Sequence, residues 1–255
     1  MNKRFESKVV FITGGTSGLG RDAAVAFARE GAKVVFTGRR CDAGEQVASE
    51  IRKHGGEARF VRADVSSAAD IEASVQECAK AYGGLDIAFN NAGIDGTLMT
   101  SLTDYQKDVW DRVIATNLTG TFLCMKHEIA EMLKRGGGSI VNMSAMAGLR
   151  SGRRTGAAYN ASKHGIIGLT TTGALEYAHR GIRVNAVCPA LIQTPMSEAT
   201  FLKDAAMVQK ALQMYPVGRI GRPEEVTSLV LWLCSSDAGF VTGAAIPIDG
   251  GALLL

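Results

Sequence analysis

Tyr159 and Lys163 stand four residues apart in Tyr159-Asn160-Ala161-Ser162-Lys163, a spacing that on a helix puts both side chains on one face, within reach of one ligand. A phenol can give or take a proton, and a cation beside it favours the phenolate. The ordinary tyrosine pKa near 10 is too high for this at neutral pH, and lowering it by about 3 units takes about 4 kcal/mol. Alone, the pair equally describes a solvated helix face. A second cluster, Thr13-Gly14-Gly15-Thr16-Ser17-Gly18-Leu19-Gly20, leads into a helical run from Arg21 to Arg29. Glycines at a strand-to-helix turn let the backbone approach a pyrophosphate, and the helix N-terminus offers free N–H groups and a positive dipole end. A dinucleotide is implied, although the spacing is G-x-x-x-G-x-G rather than G-x-G-x-x-G. A triphosphate loop fits worse: Gly15 and Gly20 are suitably spaced, but Arg21-Asp22 follows where Lys-Ser/Thr belongs.

The elements that must hold these residues are legible as alternation. Lys8 to Thr13, Lys33 to Thr37, Ala58 to Val61, Leu85 to Phe89, Ser139 to Met143, Ile182 to Val187 and Ala245 to Ile248 read as seven short strands. Helical patterns begin near Leu19, Gly44, Ala69, Asp104, Ala157, Ser197 and Pro223, the fourth long enough for two helices or one with a break. This predicts a doubly wound α/β fold, a seven-stranded parallel sheet with helices on both faces, in one domain over residues 1–255. Ligands then bind beyond the C-terminal strand ends, where the glycine turn falls.

With 28 Lys and Arg against 25 Asp and Glu in 255 residues, a net charge of +3 gives no case for nucleic acid or an anionic membrane. No apolar run approaches the roughly 20 residues of a membrane span, and the charged start, Met1 to Lys8, does not read as a signal peptide. A cytoplasmic protein is expected. Cys41, Cys78, Cys124, Cys188 and Cys234 are odd in number and dispersed, and His54, His127, His164 and His179 lack metal-ligand spacing. No metal site is expected, and no G-x-S-x-G elbow suggests a hydrolase. The second strand ends Thr37-Gly38-Arg39-Arg40, with no acid before Asp42. An acid there accepts from the ribose hydroxyls of NAD, whereas an arginine pairs with a 2′-phosphate. NADP(H) is favoured, with NAD the alternative and Arg39 as phosphate partner beside Arg40.

Together with Asn90-Asn91-Ala92-Gly93, Asn117 in Thr116-Asn117-Leu118, and Asp249-Gly250, these motifs resemble the short-chain dehydrogenase/reductase family, in order and over essentially the whole chain. The resemblance implies a Rossmann fold and hydride transfer between NAD(P)(H) and a small-molecule secondary alcohol or ketone. Tyr159 would be the general acid/base, Lys163 would lower its pKa and bind the nicotinamide ribose, and Asn117 would help hold a water chain to Lys163. It also implies cofactor contacts at Gly14, Thr16, Ser17, Gly18, Leu19 and Gly20, and at Asp64-Val65 beside the adenine. Asn91, Ala92 and Gly93 would follow, then Pro189, Ala190, Ile192 and Thr194 beside the nicotinamide, Ala190 standing where glycine is usual. The family's substrate-binding serine aligns with Ala145 in Asn142-Met143-Ser144-Ala145-Met146-Ala147-Gly148; Ser144 is the expected replacement after a local shift. Residues 195–215, with Met196, Phe201, Leu202, Met207, Val208, Leu212 and Met214, resemble the variable substrate lid, while Arg150, Arg153 and Arg154 could steer an anionic substrate. Within the family, a 3-oxoacyl-carrier-protein reductase or sugar dehydrogenase stays open, as does a catalytically weak NAD(P)-binding sensor or scaffold carrying Ala145. A homotetramer is expected, which would bury the apolar tail Gly251 to Leu255.

Overall fold

Val9 and Phe11 pack on one face of the central sheet while Val10 and Ile12 pack on the other, the two-residue period of a strand covered on both sides. This first strand, β1 (Val9–Ile12), belongs to a computed structural model that describes residues 3–152, 155–203, 208–209 and 212–255. The other strands are β2 (Lys33–Gly38), β3 (Glu57–Arg62), β4 (Ile87–Asn90), β5 (Gly138–Met143), β6 (Ile182–Pro189) and β7 (Ala245–Ile248), in spatial order β3-β2-β1-β4-β5-β6-β7. Every adjacent pair is parallel.

On one face, α1 (Gly18–Arg29), α2 (Cys41–Lys53) and α8 (Pro223–Cys234) contribute Phe27, Val47, Ile51, Val226 and Val230 to a core with Val10, Ile12, Val34 and Phe36. On the other, α3 (Ala68–Tyr82), α5 (Gly120–Arg135) and α6 (Ala157–Tyr177) contribute Ile71, Val75, Cys124, Met132 and Ala174. The ends are set by local chemistry. Ser67 caps α3 by accepting from Asp70 N at 3.2 Å, Gly83 and Gly136 close α3 and α5 in the left-handed region, and α8 starts on Pro223 with Glu225 accepting from Arg222 N at 2.8 Å.

The sequence boundaries hold with small shifts, the largest being three residues: α2 begins at Cys41 rather than near Gly44, and the fourth helical stretch at Lys107 rather than near Asp104. The long fourth helical stretch is one helix with a break: α4 (Lys107–Val113) runs into a π-helical segment, Ile114–Thr119, and on into α5. The sheet order reverses between β1 and β4, which opens a crevice beyond their C-terminal ends.

Candidate active site

The chain following β1 turns through Gly14 and Gly18, both with positive φ, at +68° and +54°. Gly20 must be glycine for packing, since a Cβ there would lie 2.3 Å from the Gly14 carbonyl oxygen and 2.5 Å from Asn91 Nδ2. Ser17 caps α1 without a side-chain hydrogen bond, and the first turn carries no acid, so its N–H groups and dipole face an uncontested anion position. The turn is tied to the end of β4: Asn91 Nδ2 donates to the Thr13 carbonyl at 3.0 Å, and Thr13 Oγ1 accepts from Asn91 N and Ala92 N, each at 3.1 Å. Thr13 is thus a positioning residue not singled out from sequence, although it lies in the glycine run.

The crevice is a cavity of about 730 Å³, within the range of small-molecule sites. Its wall brings together Gly14, Thr16, Ser17, Gly18, Leu19, Arg39, Arg40, Asp64, Val65, Asn91, Ala92, Gly93, Ser144, Tyr159, Lys163, Pro189, Ala190, Ile192 and Thr194. Of the expected site residues, Gly20 and Asn117 stand behind this wall. At one end, Arg40 Nη2 donates to Thr16 Oγ1 at 3.4 Å and Arg39 lies 3.9 Å from Asp64, both arginines being exposed. Asp64 is held below the usual carboxylate range first by the Ser66 backbone N–H, against burial, and then by the Ser66 hydroxyl and Arg39.

At the other end, Lys163 is 3% exposed and its Nζ donates to the Met143 carbonyl, the last residue of β5, at 2.8 Å. Nζ stands 5.4 Å from the Tyr159 ring centroid. Burial lowers the Lys163 pKa to about 8 against the opposing influence of Asp95 and then Cys188. Burial, and then Asp95, push Tyr159 above its ordinary value. The desolvation cost of phenolate exceeds what an ammonium already bonded to a carbonyl returns.

Ser144, expected as the donor to substrate, stands in the cavity wall; it is 2% exposed and its hydroxyl donates to the Lys163 carbonyl at 2.8 Å. Ala145 occupies the wall beside it. Asn117, fully buried in the π segment, has no bond to Lys163. Its Oδ1 accepts from Ile94 N at 2.9 Å and its Nδ2 donates to the Ile94 carbonyl at 3.0 Å and to Ser162 Oγ at 3.1 Å. Its own carbonyl accepts from Thr121 Oγ1 at 2.7 Å, satisfying a group of the widened helix. Asn117 therefore fixes the loop after β4, which carries Asp95 into the cavity wall.

Thr194 caps α7 (Pro195–Ala199), its Oγ1 accepting from Ser197 N at 3.3 Å, and its side chain is the nearest to Gly18, 3.8 Å from a Cβ placed there. Ala190 donates its N–H to the Ile248 carbonyl at 3.0 Å and packs against the small cluster of Tyr215 and Ala252. Met196, Phe201 and Met214 line the same cavity, as does Arg150; Met207, Arg153 and Arg154 lie outside the described residues. The glycine cradle, open helix N-terminus and paired arginines fit a nicotinamide dinucleotide.

Comparison with known proteins agrees with this arrangement. The family model described as enoyl-(acyl carrier protein) reductase matches residues 14–252. Cyclohexanol dehydrogenase of Acinetobacter sp. (strain SE19) is 41% identical over 250 residues, covering 98% of this chain and 96% of that protein. The 2-(S)-hydroxypropyl-CoM dehydrogenase 3 of Xanthobacter autotrophicus is 42% identical over 254 residues, 98% of each. The crystal structure of levodione reductase superposes with a TM-score of 0.93 at 36% identity, covering 97% of this chain and 98% of that one. The chain belongs to the short-chain dehydrogenase/reductase family and is an oxidoreductase that works with a nicotinamide dinucleotide.

Proposed function

We propose that the protein interconverts a secondary alcohol and its ketone with NADP(H), Tyr159 acting as general acid/base. The observation that carries this reading is the placement of Tyr159 and Lys163 in the wall of the cavity that the glycine turn also lines. The α1 N-terminus with Gly14, Thr16, Ser17, Gly18 and Leu19 would hold the pyrophosphate, and Asp64 and Val65 the adenosine. Asn91, Ala92, Gly93, Pro189, Ala190, Ile192 and Thr194 would flank the nicotinamide, with Lys163 at its ribose. When bound, the dinucleotide supplies or accepts the hydride.

Tyr159 gives its phenolic proton to the ketone oxygen as the alcohol forms and takes one back in the reverse direction. Its raised pKa keeps it proton-loaded at neutral pH. Lys163, with a pKa of about 8, is mostly cationic there and favours the phenolate that the proton transfer leaves. NADP(H) is preferred because Arg39 and Arg40 lie at the cavity's adenosine end, where no acid stands at the tip of β2. The substrate is a small molecule of largely apolar body, in keeping with Met196, Phe201 and Met214 on the lid side. Ala145 and the engaged Ser144 favour a slow enzyme as the second reading.

Exposed Phe122 and Leu175 on α5 and α6, and Leu254 and Leu255 at the tail, suit contacts in a homotetramer. Among the described residues no helix is long and apolar enough to cross a membrane, and five free thiols suit the reducing cytoplasm. Steady-state assays with NAD and NADP against a panel of secondary alcohols and ketones test the reading. Tyr159→Phe should abolish turnover and leave cofactor binding, followed by fluorescence titration, nearly intact; an active Tyr159→Phe enzyme would overturn the assignment.

A further inference from the structure

Two acids line the cavity among the described residues, and they differ in one respect. Asp64 is engaged by Ser66 and Arg39, whereas the Asp95 carboxylate makes no hydrogen bond or ion pair among the described residues, although it is half-buried. It is also fixed in place. Its preceding neighbour, Ile94, is clamped on both backbone groups by Asn117. Its following neighbour, Gly96, has φ +74° and packs so closely that an added Cβ would lie 2.6 Å from the Tyr105 hydroxyl and 2.7 Å from Val113. Asp95 lines the same cavity as Tyr159 and Lys163 and acts electrostatically on both, and a Cβ placed on Gly93, two residues earlier, would lie 3.6 Å from Lys163 Nζ, which puts the acceptor on the Tyr159–Lys163 side of the cavity. The same cavity is also lined by apolar Leu98, Ala145, Met146, Met196 and Met214.

We propose that Asp95 determines specificity by accepting a hydrogen bond from a second hydroxyl of the substrate, so that the site takes neutral secondary alcohols bearing a further hydroxyl near the reacting carbon. The proposal rests on Tyr159 and Lys163 marking the reacting end. A desolvated acceptor left unpaired is costly, so such a site discriminates against an analogue lacking the matching hydroxyl. A carboxylate substrate would meet like charge at Asp95, and an ammonium would meet Lys163 and Arg150 in the same cavity; a neutral hydroxyl meets neither penalty.

The test compares trans-cyclohexane-1,2-diol with cyclohexanol as substrates for the wild type, Asp95→Ala and Asp95→Asn. A hydrogen bond to a charged group is worth about ten- to a hundredfold in binding. The wild type should therefore favour the diol, and Asp95→Ala should lower the diol-to-cyclohexanol ratio of kcat/KM by about tenfold or more, chiefly through the diol KM. Asp95→Asn, which keeps an acceptor oxygen, should lose less. A ratio that moves less than about threefold, or kcat falling equally for both alcohols, overturns the proposal and makes Asp95 an electrostatic neighbour of Tyr159. If the wild type oxidises neither alcohol, it is the Tyr159 reading with these substrates that fails. Calorimetric titration of the two alcohols into the protein with its dinucleotide then decides on Asp95: weaker diol binding in Asp95→Ala supports it, and equal binding overturns it.

Discussion

Glu128→Gln should stabilise the protein, and by an amount that grows with pH. Glu128 is fully buried on α5, where its Oε2 accepts from Asn90 Nδ2 at 2.9 Å and its Oε1 has no partner among the described residues. Burial raises its pKa from 4.5 to about 8, so the folded chain keeps a proton that the unfolded chain releases. Between those two values the folded state binds more protons, and the free energy of unfolding falls as pH rises. At about 1.4 kcal/mol per pH unit the loss is about 3 kcal/mol by pH 7 and about 5 kcal/mol once pH 8 is passed, then constant. Glutamine keeps the acceptor for Asn90, has no proton to lose, and offers an amide donor near Asn90 Oδ1, which also lacks a partner. Urea unfolding of the two proteins at pH 5, 7 and 8.5, at one protein concentration and without cofactor, reads the difference. The variant should gain less than about 1 kcal/mol at pH 5, about 3 at pH 7 and about 5 at pH 8.5. The same difference at all three pH values would refute the reasoning, because an altered packing contact does not titrate. The outcome bears on the site, since Asn90 closes β4 immediately before the Asn91 to Gly93 run.

Two further substitutions follow from the cavity wall. Ala145→Ser restores a hydroxyl at a position of extended backbone, φ −162°, and should raise kcat for ketone reduction by on the order of ten- to a hundredfold, since one preorganised donor is worth about 10² to 10³; an unchanged kcat would mean that the oxygen is already served. Arg39→Ala should raise the KM for NADP by about tenfold and alter that for NAD little, the loss of one charge-assisted phosphate contact; equal changes for both cofactors would remove Arg39 from the 2′-phosphate position.

The seven strands and the glycine turn were legible because each is written in neighbouring residues. KVVFIT and KVVFT are apolar runs ended by glycine, and a turn needing positive φ at Gly14 and Gly18 admits little else. What stayed illegible was tertiary. The π segment is spelled Ile114-Ala115-Thr116-Asn117-Leu118-Thr119, residues that suit an ordinary helix, and within it Asn117 bonds the Ile94 backbone 23 residues earlier. The family resemblance points to Ser144 as the replacement for the serine aligned with Ala145, and Ser144 does line the cavity, but only the fold shows its hydroxyl donating to the Lys163 carbonyl. Asp95 follows the Asn-Asn-Ala-Gly run by two residues in a stretch without periodicity. An unexplained acid beside a recognised motif was the only signal it gave.

The same limit applies to the acidity of Tyr159. Spacing on a helix fixes that Tyr159 and Lys163 share a face, which is a statement about distance. Acidity depends on how much water each group loses and on every other charge nearby, neither of which spacing contains. Lys163 is drawn inward by the Met143 carbonyl, pays for burial with its own depressed pKa, and stands 5.4 Å from the ring centroid. Asp95 meanwhile adds negative charge that opposes ionisation of Tyr159 and favours the protonated Lys163. One loop carboxylate thus tilts both groups toward their protonated forms.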